Sequence, residues 1–161
     1  MKNINLNSEP STQNFPNRQG WFLVANPDQW SMLSMKVDDV QNYTLFNYRN
    51  NKRRIFKNFL NAKAGDLVFG YESAPTRKIV ALLKVESPST GCSVGSTITF
   101  KKIVSLKYPM DFSSMKQLKA LENMEFFANP HGSMFKLTPS ECECLLDEVK
   151  YLNKEIFMAK L

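Results

Sequence analysis

Between Tyr43 and Gly65 the chain carries six basic residues (Arg49, Lys52, Arg53, Arg54, Lys57 and Lys63) and not one acid. Threaded among them are Tyr43, Phe46, Tyr48, Phe56 and Phe59. Cations that grip phosphates beside aromatic faces that stack on bases are the ingredients of a nucleic-acid site. The plainer reading of the same run is a solvated, ligand-free face. This one segment accounts for the entire formal charge of +6, since fifteen basic and fifteen acidic residues remain in the rest of the 161-residue chain. A second stretch, Lys101 to Lys119, has five lysines against the single Asp111, whereas Leu121 to Leu161 has four lysines against seven acids. The middle of the chain is basic and its end acidic.

Catalytic patterns are absent. Neither a GxxxxGK[ST] nor a GxGxxG loop occurs, and with six glycines there is no phosphate cradle. Neither a GxSxG elbow nor an HExxH helix is present. The one histidine, His131, sits in an Asn-Pro-His-Gly turn and reads as exposed and idle rather than as a base. Asp38 and Asp39 read as solvated. Asp28 and Glu86 do not complete a nuclease carboxylate array, because no lysine follows Glu86 two residues on. The expectation is a domain that is not itself an enzyme. Cys142 and Cys144, two apart on a helix, point to different sides and suit neither a disulfide nor a shared metal. Cys92 stands alone. No metal and no cofactor are expected, and reduced thiols point to the cytoplasm.

Hydrophobic residues make up 43% and charged residues 22%, an ordinary globular composition. No apolar run approaches the roughly 20 residues of a membrane span, and the polar N-terminus lacks a signal-peptide core. Residues 1–19 read as a flexible leader and 20–161 as one domain. Gly20 to Ala25 is a buried-strand pattern stopped by Asn26-Pro27-Asp28. Gln29 to Met35 has the length of one or two helical turns, and Tyr43 to Asn47 reads as a second strand. Ile55, Phe56, Phe59 and Leu60 share one helical face. Leu67 to Tyr71 and Lys78 to Glu86 read as a hairpin, and Ser96 to Val104 as a further strand. Ser113 to Leu121 is a short helix capped by Ser113 or Ser114. Ser133 to Leu137 is strand-like. Thr138, Pro139 and Glu141 then open a long helix with a capping box, its apolar positions running through Leu145, Val149, Leu152 and Ile156. Short strands with helices between them predict an α+β domain around a small, bent sheet or barrel, with no βαβ alternation of parallel type.

The order of these segments resembles a known family. Trp21 to Pro27, Asn47-Tyr48-Arg49-Asn50, Ala64 to Ser73, Ile79 to Val85 and the late Gly132 to Thr138 step follow the pattern of the EVE domain of the PUA-like superfamily, kin to the YTH readers of methylated adenine. Within that family the chain looks most like the EVE-type N-terminal domains of McrBC-type modification-dependent restriction GTPases.

The resemblance implies a PUA-like β-barrel that flips one modified base into an aromatic cage. It implies a reader of double-stranded DNA carrying a modified base, the targeting module of a restriction system, with no membrane partner. The candidate base-binding residues are Trp21, Asn26, Trp30, Tyr43, Phe46, Tyr48 and Phe100. Asn26 falls where an asparagine contacts the base in YTH relatives, and Tyr43, Phe46 and Tyr48 compete for the first wall, with Phe100 at the second. Arg49, Lys52, Arg53, Arg54 and Lys57 would grip phosphates, with Lys101, Lys102 and Lys107 on the opposite rim. A PUA-like reader of modified RNA and a protein-interaction module are the alternatives. The final helical pattern reaches Leu161 without a cap, as in a chain continued by a motor or nuclease domain. The domain alone is expected to be monomeric, with any oligomer formed through such a continuation.

Overall fold

The computed structural model describes residues 19–159. The proposed leader therefore lies outside the described residues except for Gln19, whose Nε2 donates to the carbonyls of Gly20 at 2.6 Å and Leu137 at 2.8 Å. Six strands form one sheet: β1 (Gly20–Ala25), β2 (Val40–Thr44), β3 (Leu67–Glu72), β4 (Lys78–Ser87), β5 (Thr97–Asp111) and β6 (Met134–Leu137), in the order β2-β5-β4-β3-β1-β6. β1 is apolar on both faces because it is interior and both faces are covered. Phe22 joins Phe69, Phe126 and Phe135 on one side, while Trp21 and Leu23 join Phe59 and Phe100 on the other.

The sheet curls into a half-barrel with helices around it, the α+β architecture expected from the pattern of short strands. The curl has a local cause: β5 is 15 residues long and its antiparallel pairing with β4 shifts register three times. Each such irregularity bends the strand and increases its twist. One expectation is corrected. Although no βαβ alternation is legible, β1 and β3 pair in parallel, Gly20 against Leu67 through Ala25 against Glu72. The connection between them carries β2 and the helix α1 (Phe56–Asn61), so the crossover is hidden by an inserted strand.

Helix ends follow their capping chemistry. α2 (Phe112–Lys116) is capped by Asp111 rather than by Ser113 or Ser114; the Ser114 amide donates to Asp111 Oδ1 at 2.8 Å. That bond holds the Asp111 carboxyl below its ordinary value. A carboxylate depressed on folding stabilises above its unfolded pKa and loses that stabilisation as pH falls through the folded value. Asp111→Ala should therefore cost about 1 kcal/mol at pH 7 and less at pH 3, measured by urea unfolding at both. After a 3₁₀ turn (Lys119–Leu121) and the short α3 (Glu125–Ala128), α4 (Pro139–Leu152) opens with the expected capping box. The Glu141 amide donates to Thr138 Oγ1 at 3.1 Å and the Thr138 amide to Glu141 Oε1 at 2.9 Å. The predicted long helix breaks at Asn153 into α4 and α5 (Lys154–Ala159). Buried Asn153 exchanges two hydrogen bonds with the Tyr108 backbone on β5, accepting from its N–H at 2.9 Å and donating to its carbonyl at 3.1 Å.

Two buried charges fasten the segment between β1 and β2. Lys102, fully buried, donates from Nζ to the carbonyls of Met32 (2.7 Å), Leu33 (3.2 Å) and Met35 (2.6 Å). Glu72, also buried, accepts from the Leu33 amide at 2.9 Å and from Ser31 Oγ at 3.2 Å. Met32 then packs directly on Gly70, where an added Cβ would meet its sulfur at 2.5 Å. This segment begins with Asn26, Gln29 and Trp30, so the clamp fixes one lip of the site described next.

Candidate nucleic-acid interface

Where β1 ends, the Asn26-Pro27-Asp28 turn faces the turn that precedes β6. Asn26 Oδ1 accepts from the Asp28 amide at 2.9 Å, and the Val24 amide donates to the Ser133 carbonyl at 2.7 Å. Between these two turns lies a cavity of about 230 Å³. Val24, Asn26 and Gln29 form one side and Pro130, His131 and Ser133 the opposite one. Tyr43 from β2 supplies the aromatic wall, with Arg53 and Ser73 beside it. The Tyr43 hydroxyl donates to the Val24 carbonyl at 3.2 Å, which ties the wall to the end of β1.

The Arg53 guanidinium lies 4.5 Å from the centre of the Tyr43 ring and is held by Thr44, with Nε donating to its carbonyl at 2.6 Å and Nη2 to its hydroxyl at 3.1 Å. A planar cation on an aromatic face keeps its remaining donors free for an anion. Arg53 also lines two further hollows. One, of about 300 Å³, is bounded by Lys52, Arg54, Asn47, His131 and Ser133; the other, of about 460 Å³, by Phe46, Tyr48, Gln29 and Val94 among others. Among the described residues no carboxylate lines any of the three. The acid-free segment of the sequence thus contributes to three neighbouring hollows that have Arg53 in common.

The candidate residues divide. Asn26, Tyr43, Lys52, Arg53 and Arg54 are brought together, with Phe46 and Tyr48 in the adjoining hollow. Arg49 lies beside Tyr48, its Nε donating to the tyrosine hydroxyl at 3.1 Å, and Lys57 projects from α1 into solvent. Three assignments are corrected by burial. Trp21 is a core residue whose Nε1 donates to buried Asp66 at 2.9 Å. Phe100 is fully buried and stacks against Trp30 at 6.3 Å. Lys102 faces inward because β5 alternates, and its ammonium is spent on the carbonyls of the clamped segment. Lys107 is corrected by position: it borders a separate hollow with Tyr108 and Tyr151, sharing no residue with the three around Arg53. Lys101 lines none of them. Trp30 is 9% exposed and stands in the cluster beneath Tyr43, with its Nε1 hydrogen unpartnered among the described residues.

The expected cage of two facing aromatics is therefore not assembled. Among the described residues, Tyr43 is the one Phe, Tyr or Trp side chain in the cavity wall, which also includes the Arg53 guanidinium, Pro130 and the His131 imidazole. His131, Ser133, Gln29 and Ser73 were not recognised in the sequence as site residues. The strong Asn-Pro-His-Gly turn was the available signal, since exposed turn residues held by a rigid sheet carry function more often than their composition suggests. Among the described residues no group of three or more His, Cys, Asp or Glu side chains gathers to hold a metal. All three cysteines are free, and burial pushes the Cys142 thiol up to about 11.

Several solved structures share the fold. The Rhodopseudomonas palustris protein Rpa0253 superimposes with a TM-score of 0.68 at 18% identity, covering 83% of this chain and 94% of its own. A hypothetical protein from Leishmania major gives 0.68 at 15% identity, over 83% and 96%. Human THYN1, in a complex with 5-methylcytosine containing DNA, gives 0.66 at 15% identity, over 82% and 98%. A comparison with curated protein sequences finds no match. The family model described as the EVE domain matches residues 19–148, which span β1 to most of α4 and every residue of the three hollows, and the chain belongs to that family.

Proposed function

We propose that this EVE domain holds DNA on its acid-free rim and takes one modified base into the cavity beside Tyr43 and Arg53. The observation that carries the reading is a 230 Å³ cavity that shares Arg53, His131 and Ser133 with a hollow lined by Lys52 and Arg54, with no carboxylate among the described residues lining either. That volume lies just below the roughly 300–1,000 Å³ of sites for drug-sized ligands, which suits a single base. A base inside a duplex cannot reach such a cavity without leaving the stack, so the proposal includes base flipping, at a cost of a few kcal/mol. The guanidinium plane of Arg53, backed by the Tyr43 ring, offsets part of that cost by stacking. Asn26, Gln29, Ser73 and Ser133 offer donors and acceptors to the base edge. The fold is shared with a human protein whose complex contains 5-methylcytosine DNA, which favours DNA over RNA.

Among the described residues no carboxylate lines the cavity and no hydrogen bond joins His131 to the Ser73 or Ser133 hydroxyl, so the role proposed is recognition, with any cleavage left to another domain. The order of motifs shared with McrBC-type N-terminal domains supports a place in a modification-dependent restriction system, and the free cysteines suit a reducing cytoplasm.

Fluorescence anisotropy with matched duplexes tests the reading. Burying a methyl group contributes about 0.8 kcal/mol, so a duplex with one 5-methylcytosine should bind at least about fourfold more tightly than its unmodified twin. Log affinity should fall with log salt at about −0.9 per phosphate held. Equal affinity for both duplexes at every salt concentration sinks the proposal, and tighter binding to the matched modified RNA would move it to RNA.

A further inference from the structure

Tyr48 is 84% exposed, the most exposed large hydrophobic side chain among the described residues. A lone exposed aromatic needs no explanation by itself, but this one is presented by a turn built to hold it still. Phe46 and Lys52 bridge the base of the turn, and Asn47 fastens its interior. The Asn47 amide donates to the Asn51 carbonyl at 2.9 Å, while Asn47 Oδ1 accepts from the amides of Arg49 (2.9 Å) and Asn51 (3.0 Å). Asn50 takes the left-handed conformation, φ 64°, that closes the turn, and asparagine tolerates it better than most residues. The ring at the tip is braced by Arg49, whose guanidinium carbon lies 5.4 Å from its centre.

Tyr48 does not line the base cavity. It lines the adjoining 460 Å³ hollow, which shares Gln29 and Arg53 with that cavity. The finger therefore stands next to the place where a base would enter, with its ring exposed and backed by Arg49. We infer that the 46–52 turn is a duplex wedge: when a base leaves the stack for the cavity, the Tyr48 ring enters the gap, and Arg49 takes a flanking phosphate. The inference rests on the base-reading proposal and makes its substrate a duplex, since only a duplex has a gap to fill. Apolar and aromatic side chains between base steps restore the stacking that the vacancy removes.

The experiment compares Tyr48→Ala and Tyr48→Phe with the wild type on three probes: a duplex with one 5-methylcytosine, its unmodified twin, and the methylated strand alone. Tyr48→Ala should weaken binding to the methylated duplex about tenfold, leave the single strand within about twofold, and leave the salt slope unchanged because no charge is lost. Tyr48→Phe should retain duplex affinity, because the ring and not the hydroxyl does the stacking. Equal weakening on duplex and single strand, or no weakening on either, overturns the wedge while the wild-type preference for methylation stands untouched. A wild type without that preference overturns the base-reading proposal and the wedge with it.

Discussion

Arg53→Ala is expected to weaken binding to a methylated duplex by about ten- to a hundredfold at low salt, the cost of losing charge-assisted hydrogen bonds from one guanidinium. The magnitude follows from position: Arg53 lines all three hollows, and its plane covers the Tyr43 face. Two effects should appear together. The salt slope should shrink by about one phosphate, and the preference for the methylated base should fall, because the cavity loses a wall. Arg54→Ala, which touches only the hollow shared with Lys52 and His131, should change the slope and leave the preference alone. Lys107→Ala, in the separate hollow beside Tyr151, should change neither. Stability should move by less than about 1 kcal/mol, since Arg53 is half-buried and, among the described residues, its side chain hydrogen-bonds only to Thr44 while its amide bond to the Leu45 carbonyl survives the change. Titrations by anisotropy at four salt concentrations, with circular dichroism as the folding control, decide it; an Arg53→Ala protein within twofold of wild type throughout removes Arg53 from the interface.

Lys102→Met should be the most damaging single change to the clamp. It leaves the carbonyls of Met32, Leu33 and Met35 without their donor and buried Glu72 without a nearby cation. Removing one member of such an arrangement costs about 3 kcal/mol, against less than about 0.5 kcal/mol for Lys101→Met on the outward face of the same strand. Urea unfolding measures both. Combining Lys102→Met with Glu72→Gln should cost less than the sum of the single changes, because the second removes the charge the first leaves uncompensated. Burial lowers the Lys102 ammonium pKa, with Glu72 partly opposing the shift. Between the lowered value and the ordinary 10.5 the folded state binds fewer protons than the unfolded chain, so in that window stability rises with pH. Strictly additive costs would show that the two charges hold the segment independently.

The parts of the fold that were legible in the sequence are those whose causes are local. The apolar run of β1, the β3–β4 hairpin and the Thr138–Glu141 capping box each carry their determinants within a few residues. The break at Asn153 was not legible, because its side chain answers to Tyr108, 45 residues away. The parallel pairing of β1 with β3 was hidden by the strand and helix inserted between them. The site shows the same division. From the acid-free run, Lys52, Arg53 and Arg54 line adjoining surface hollows, as a run of charge with no acidic partners must stay near solvent. Aromatic residue type could not separate wall from core: Trp21, Phe100 and Tyr43 look alike in composition, and only the sheet's two faces sort them. For Lys102 the signal was present. Ile98, Phe100, Lys102, Val104 and Leu106 alternate along β5 and all are buried, so strand periodicity outranks charge as a guide to where that lysine points.

The position of β1 in the sheet sets a constraint on how the protein is made. Among the described residues β1 is synthesised before the other strands and lies between β3 and β6, and its Gly20 to Leu23 meet Leu137 to Met134 of β6 more than a hundred residues later. Until Leu137 has emerged during translation, one edge of β1 offers unpaired amides and carbonyls flanked by Trp21, Phe22 and Leu23. An open, apolar edge of that kind invites pairing with another nascent chain. Closing the sheet also means bringing together the two most distant strands, a contact of high sequence separation that slows folding. A ribosome stalled before residue 134 would therefore present a nearly complete sheet with an adhesive seam, and timely synthesis of four residues, Met134 to Leu137, is what seals it.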